Sequence, residues 1–297
     1  MRINNNITAI NSHKQYGINN NNISKNMERL SSGFRVNRAS DDAAGLAISE
    51  KMRAQIRGLN QAARNSQDAV SLVQTAEGGM QTIQDILQRM RELTVQAGNE
   101  TNNNATDQID LDALQAEFDQ LVDEIEQIAV TTEFNAMKLL DGSGGANEDG
   151  NFVMQVGANA EQTMDVSIGN MSADGLGVLQ LRSGGAVGAE ATIGDRTGAL
   201  TDQELARTTT LTTLDTAINS VSMARANLGA YQNRLEFKIQ NLNNQSENIS
   251  AAESRIRDAD MAQMMTEFTK NNILFQASTA MLAQANSLPQ SVLQLLG

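Results

Sequence analysis

The feature that most constrains this chain is an apolar stripe that runs unbroken through residues 211–256. Its members recur at alternating three- and four-residue intervals, so they stay on one face of a continuous helix for roughly 60 Å at 1.5 Å per residue. Similar stripes occupy residues 69–90 and 111–128. Because one helix cannot bury such a stripe, we expect a mainly α fold, an elongated antiparallel coiled-coil bundle. The longest stripe comprises Leu211, Leu214, Ile218, Val221, Arg225, Leu228, Gln232, Leu235, Ile239 and Leu242, extended by Ile249, Ala252 and Ile256.

The composition suits long, narrow helices. Only 3% of the 297 residues are aromatic, Trp and Cys are absent, and the single proline is Pro289. Helix breakers are therefore rare. Leu, Ile, Met and Ala fill narrow helix seams without the large rings of a wide globular core. The lack of Cys excludes disulfides and thiol chemistry.

Helical periodicity covers most of the chain. Residues 1–34 are rich in Asn, which makes them a weak helix in isolation. In the connector that follows, residues 35–43, Ser40 or Asp41 could cap the next helix. Helices are expected at residues 1–34, 44–98, 108–130 and from 203 to the end, with a break at 258–260.

The centre of the sequence has a different character. Between residues 141 and 204 glycine becomes frequent, and two short runs of alternating apolar residues, 152–156 and 164–168, predict a β-hairpin. The segment is too small to form a core of its own. We therefore expect a short insertion that faces the surface.

The last 27 residues, 271–297, contain no charged side chain. Their apolar residues are too diluted by Asn and Gln to cross a membrane, and the stripe gains little from folding alone. We expect it to pack against similar stripes, above all the first 24 residues. The predicted packing residues are Ile3, Ile7, Ile10, Ile273, Phe275, Met281, Leu282, Leu288, Val292 and Leu295.

The net charge of −13 is unevenly distributed. Residues 1–60 carry nine basic and four acidic side chains, whereas residues 101–160 carry one basic and twelve acidic. The acidic middle is either a solvated face or the outward face of an assembly. Nucleic-acid binding is not expected, because the basic arm lacks interleaved aromatic residues.

Catalytic and metal-binding patterns are missing from the sequence. His13 is the only histidine, so neither a zinc helix nor a serine triad is expected, and no cofactor is predicted. The first residues have no apolar core of a secretory signal peptide, and no window approaches 18 apolar residues. Membrane insertion is therefore not expected.

Two long motifs resemble a known family. The segment LSSGFRVNRASDDAAGLAISEKM, followed by ILQRMRELTVQAGN, resembles the N-terminal signature of bacterial flagellins. The segment SRIRDADMAQMMTEFTKNNILFQASTAMLAQANSLPQSVLQLLG resembles their C-terminal signature. The resemblance covers residues 1–140 and 205–297 and is closest to short flagellins of Bacillus type.

The resemblance implies a filament subunit with two domains. A terminal coiled coil, called D0, would combine residues 1–42 and 257–297, and a helical rod, called D1, would span 43–256 and include the central region 141–204. It implies self-assembly into an extracellular flagellar filament for swimming. It also implies export through the flagellar type III channel without a cleaved signal peptide, and a flagellar export chaperone, a filament cap and hook-junction proteins as partners.

The resemblance further implies recognition of the free monomer by the vertebrate Toll-like receptor for flagellin. The family's receptor-contacting arginine, leucine and glutamate match Arg89, Leu93 and Glu117. Helical spacing places Arg89 and Leu93 on a stripe beside the apolar seam. The alternative is that Leu93 widens the bundle core and that Arg89 pairs with Glu92 or another surface carboxylate.

Three other functions stay open at this point. A hook-filament junction protein would share the fold, although the first motif is more typical of flagellins. A non-flagellar coiled-coil adaptor would share the helical stripes. A metal-dependent peptidase in the centre would need an HExxH helix, which the central sequence lacks.

Overall fold

The computed structural model describes residues 6–98, 109–145, 149–181 and 200–296, without the side chains of 109–110, 200–207 and 288–296. The described part is mainly α, as the sequence predicts. Its helices are α1 (Ile7–Ser32), α2 (Ala43–Ala97), α3 (Ile109–Thr131), α4 (Leu200–Arg257) and α5 (Met261–Leu296). Its strands are β1 (Glu133–Phe134), β2 (Met137–Lys138), β3 (Asn151–Gln155) and β4 (Thr163–Ser167), and a short 3-10 helix spans Leu179–Leu181.

The chain forms two compact units. The first combines Met1–Arg57 with Ser246–Gly297, and the second is Gly58–Gln245. Helices α2 and α4 each contribute residues to both units. The division between terminal and rod domains after residues 42 and 256 stays a prediction from the family resemblance.

In the first unit, α1 and α5 pair in opposite directions. The Asn6 side chain donates to the Ala285 carbonyl at 2.7 Å, near the start of α1. Nine residues into α1, the Tyr16 ring lies 4.8 Å from the Phe275 ring between centroids. The two helices are therefore antiparallel. This confirms the prediction that the segments at the two chain ends pack against each other.

The two helix breaks of the first unit are joined to each other. The backbone N–H of Arg35 donates to the Arg257 carbonyl at 2.7 Å, and the N–H of Ala259 donates to the Gly33 carbonyl at 2.9 Å. The Arg257 guanidinium lies 4.7 Å over the Phe34 ring and donates to Glu50 at 2.8 Å. Gly33 ends α1 in the left-handed conformation, with φ of 74°.

The cap of α2 differs from the predicted one. The Asp42 carboxylate, rather than Ser40 or Asp41, accepts the backbone N–H of Gly45 at 2.8 Å. Asp41 instead accepts the N–H groups of Asn37 and Arg38, which closes the connector. The Arg38 N–H in particular lowers the pKa of Asp41, because it stabilises the ionised carboxylate. Both neighbouring carboxylates can cap a backbone turn, so sequence alone did not separate them.

The second unit has a continuous helical core from α2, α3 and α4. Burial on α4 recurs every seven residues, at Leu214, Val221, Leu228 and Leu235, as a coiled-coil seam requires. The predicted stripe of α2 is fully buried; it comprises Ala69, Val73, Ala76, Met80, Ile83, Leu87 and Met90. On α3, Leu111, Phe118 and Ile125 are buried as predicted. Leu114, Leu121 and Ile128 are only half-buried, because the buried face of α3 is shifted towards Val122 and Ala129.

The strands form two antiparallel hairpins. β3 and β4 pair with Phe152 opposite Val166, and both side chains are buried in the core of the second unit, which confirms the predicted hairpin. The shorter pair, β1 with β2, was not expected from the sequence. It turns through Asn135 and Ala136, whose φ angles of 52° and 60° suit a two-residue turn.

Candidate functional site

The seam between α1 and α5 is narrow and partly polar. The Asn19 amide donates to the Ser278 hydroxyl at 2.9 Å, and both residues are buried. Ala285 follows Ser278 at a seven-residue interval and Asn26 follows Asn19, and these residues are buried as well. A buried polar side chain at such a position fixes the register of a coiled coil at the expense of stability. The pair is therefore aligned by small and polar side chains.

The large apolar residues of α1 and α5 mostly point away from this seam. Ile7, Ile10, Ile273 and Met281 are 64%, 62%, 61% and 61% exposed. Phe275 and Leu282 are half-buried. Covering one such exposed side chain contributes about 1.5–3 kcal/mol. The pair thus presents apolar surface that its own fold does not bury.

Four of the predicted packing residues lie where the structure gives no side-chain description. Ile3 falls outside the described residues, and the side chains of Leu288, Val292 and Leu295 belong to the undescribed end of α5. The role of the whole set in polymerisation stays a prediction. The mating of α1 with α5 nevertheless places Ile7, Ile10, Ile273 and Met281 on one helix pair.

On the second unit, Arg89 is the centre of an exposed charged cluster. Its guanidinium donates to the Glu117 carboxylate through Nε at 3.0 Å and through Nη2 at 2.8 Å. A third bond reaches Glu92 at 3.3 Å. The hydrogen bonds that Arg89 donates to Glu117, followed by the one to Glu92, raise the pKa of Arg89, because the carboxylates stabilise its charged form. Such exposed pairs contribute little to folding, so the cluster is free to serve as a contact surface.

Leu93 occupies a different environment from the other two receptor candidates. It is fully buried in the core with Leu87 and Met90. Its predicted place on a stripe beside the seam is therefore wrong, because the seam of α2 is wide enough to include it. The alternative interpretation described this arrangement: Leu93 belongs to the core, and Arg89 pairs with the surface carboxylates of Glu117 and Glu92.

The described residues hold no other group with evident chemistry. Among residues 6–98, 109–145, 149–181 and 200–296, there is no cluster of His, Asp and Glu arranged to hold a metal ion. In that same part of the chain, no helix is long and apolar enough to cross a membrane.

The polar residues between α1 and α5 were not predicted from the sequence, although they recur at a regular spacing. Asn19 and Asn26 are seven residues apart, and so are Asn271, Ser278 and Ala285. Attention to apolar residues alone hid this repeat. A search for small and polar residues at heptad spacing would have found it.

The chain matches two family models. Residues 3–144 match the bacterial flagellin N-terminal helical region, and residues 211–296 match the bacterial flagellin C-terminal helical region. The chain belongs to the bacterial flagellin family. Flagellin is a structural protein.

Known proteins agree with this assignment over the full length. The chain is 53% identical to flagellin of Bacillus subtilis, with 100% of both chains covered. It is 46% identical to a flagellar filament core protein of Treponema maltophilum, again over 100% of both chains. A solved structure of a flagellar hook-associated protein from Vibrio parahaemolyticus shares the fold, with a TM-score of 0.57 and 16% identity. That match covers 73% of this chain and 100% of the other.

Proposed function

We propose that this flagellin is the structural subunit of an extracellular filament that drives swimming, formed by self-assembly of many copies. The observation that carries the proposal is the exposed apolar surface of the α1–α5 pair. Ile7, Ile10, Ile273 and Met281 stay more than 60% exposed although their helices are already paired. A second copy that covers this surface would bury it, and the gain recurs at every added subunit.

Export and handling of the subunit form part of the same proposal. We infer passage through the flagellar type III channel without a cleaved signal peptide, assisted by an export chaperone. The filament cap and the hook-junction proteins are the other partners. The family membership and the uncharged segment 271–297 support these inferences, because such a segment gains stability chiefly from partners.

Polymerisation of the purified full chain tests the proposal. Short filament fragments are added as seeds, and growth is followed by sedimentation and electron microscopy. We expect long helical filaments of constant diameter. A coiled-coil adaptor would stay soluble under these conditions. A hook-filament junction protein would bind the seed ends and stop there, so either result would contradict the filament proposal.

We further propose that the free monomer is a ligand of the vertebrate flagellin receptor through Arg89 and Glu117. The exposed ion pair favours this second function, since both side chains are accessible at 48% and 43%. Arg is a frequent centre of protein interfaces, where it combines charge with planar hydrogen bonding. Leu93 is buried, so it would contribute indirectly, by packing in the core and holding in place the part of α2 that carries Arg89.

Substitution of Arg89 by alanine is expected to weaken receptor activation by the monomer by about thirtyfold, because truncating an interface hot spot costs about 2 kcal/mol. Arg91→Ala is the matched control. Arg91 lies two residues further along α2, is 49% exposed and pairs with Asp215 at 2.8 Å. The measurement is the response of receptor-bearing cells to each monomer, with helical content checked by circular dichroism. Equal activation by both variants and the wild type would refute the receptor proposal.

A further inference from the structure

Most methionines of the α1–α5 pair lie at its surface. Four of the five methionines in these two helices are exposed by about half or more. They are Met27, Met261, Met265 and Met281, at 56%, 48%, 51% and 61%. The fifth, Met264, is only 7% exposed. Met commonly fills irregular gaps in a core, so packing within the pair accounts for Met264 but not for the other four.

Three of the exposed methionines lie at the same end of the pair. The contact between the Tyr16 and Phe275 rings sets the level of the two helices. Met27 lies eleven residues after Tyr16, and Met264 lies eleven residues before Phe275. Because the helices are antiparallel and both rise 1.5 Å per residue, Met27 is level with Met264. The two exposed methionines near the start of α5 lie within one turn of Met264, so this end gathers four thioethers.

The thioether is the reactive sulfur of this chain, because the sequence contains no Cys that an oxidant would attack instead. In the reaction with hydrogen peroxide, the sulfur attacks one oxygen, and an S–O bond forms as the O–O bond breaks. The proton on the transferred oxygen moves to the leaving hydroxide, which departs as water. Methionine is thus oxidised by two electrons to the sulfoxide, and the peroxide is reduced by two electrons. The reaction needs only access of the peroxide to the sulfur.

Oxidation changes what the exposed methionines can contact. The sulfoxide is polar and chiral, whereas the thioether is apolar and flexible. A half-exposed sulfoxide stays hydrated in the free monomer, so we expect the helical content and thermal unfolding of the monomer to be unchanged. A second copy that covers the same surface would have to remove that water. Such burial is unfavourable for a polar group that gains no hydrogen bond in return.

We propose that Met27, Met261, Met265 and Met281 form an oxidation site, at which a peroxide converts the free subunit from an assembly-competent into an assembly-deficient form. The proposal rests on the proposed filament function, since loss of assembly is its consequence. The change is reversible, because methionine sulfoxide reductases reduce the sulfoxide back to the thioether. Filament growth would then depend on the peroxide level that a subunit meets before it is incorporated.

Peptide mapping by mass spectrometry tests the selectivity of the site on the purified full chain. Samples are taken at intervals after addition of hydrogen peroxide, and fragment spectra separate Met264 from its neighbours. We expect the four exposed methionines to be oxidised at least fivefold faster than Met264. The same excess is expected over Met80 and Met90, which are fully buried in the second unit. Equal rates for exposed and buried methionines would overturn this inference, whether or not the chain forms filaments.

Seeded polymerisation tests the consequence. We expect mild peroxide treatment to raise the critical concentration of the wild type at least threefold, and treatment with methionine sulfoxide reductases of both epimer specificities to restore it. A variant with all four exposed methionines replaced by Leu keeps the apolar volume without the reactive sulfur. It is expected to polymerise within twofold of the wild type and to stay within twofold after peroxide.

Met137→Leu is the matched control, because it removes a methionine that is 40% exposed on β2 in the second unit. This variant is expected to remain as sensitive to peroxide as the wild type. Normal polymerisation of the oxidised wild type would overturn this inference alone. Equal peroxide sensitivity of the fourfold Leu variant would also overturn it, since other methionines would then be responsible. An untreated wild-type chain that forms no filaments would overturn the filament proposal and the assembly role of the site together.

Discussion

The double variant Ile273→Glu and Met281→Glu is expected to abolish filament growth while the monomer keeps its thermal stability. Both side chains are 61% exposed on α5, so a carboxylate at either place stays in water in the free chain. Covering those carboxylates with a second copy would cost several kcal/mol each, because an unpaired charge is costly to bury. Sedimentation of seeded samples and circular dichroism melts measure the two effects.

A matched variant separates position from added charge. Thr75→Glu and Thr82→Glu add the same two carboxylates at exposed positions seven residues apart on α2. This control is expected to polymerise with at most a modest rise in critical concentration. The assignment of the α5 surface to assembly fails if the Ile273 and Met281 variant grows filaments as the control does.

Replacement of Phe118 by alanine is expected to destabilise the second unit by about 3–5 kcal/mol. Phe118 is fully buried where α3 meets the core of the second unit, so the shorter side chain leaves a cavity that the surrounding helices fill only in part. Urea unfolding, followed by circular dichroism, measures the loss as a lower midpoint at an unchanged slope.

Phe237 provides the internal comparison for this substitution. It is 71% exposed, so Phe237→Ala removes the same atoms without creating a cavity. Its free energy of unfolding is expected to stay within about 0.5 kcal/mol of the wild type. Similar losses for both variants would show that Phe118 is not a core residue of the folded chain.

The long seams could be predicted because they repeat. Apolar residues at alternating intervals of three and four specify a helix face over many turns, so the spacing alone predicts the core positions from Leu214 to Leu235. Short elements have no such repetition. The two-residue strands β1 and β2 are held by the positive φ angles of Asn135 and Ala136, neither of which is a glycine that marks such a turn.

The surfaces were harder to predict than the core. The family resemblance indicated Arg89 and Glu117 as receptor contacts, and that role stays a prediction. Their hydrogen bonds join two helices, and helical spacing within α2 does not report the position of α3. Leu93 was placed beside the core rather than within it, because the breadth of a seam depends on how many helices face it. Tertiary packing decides such positions.

The hydrogen bond between Asn19 and Ser278 has a consequence for the motion of the isolated chain. Between α1 and α5, the buried side chains of Asn19, Ser278 and Ala285 take places that Leu, Ile and Met fill in the second unit. Less free energy is therefore gained there from the exclusion of water, even with the Tyr16–Phe275 ring contact. Segments with few buried apolar contacts open locally, at a lower free energy than the whole domain. We therefore expect the amide hydrogens of α1 and α5 to exchange with solvent faster than those of the buried stretches of α2 and α4 in the second unit.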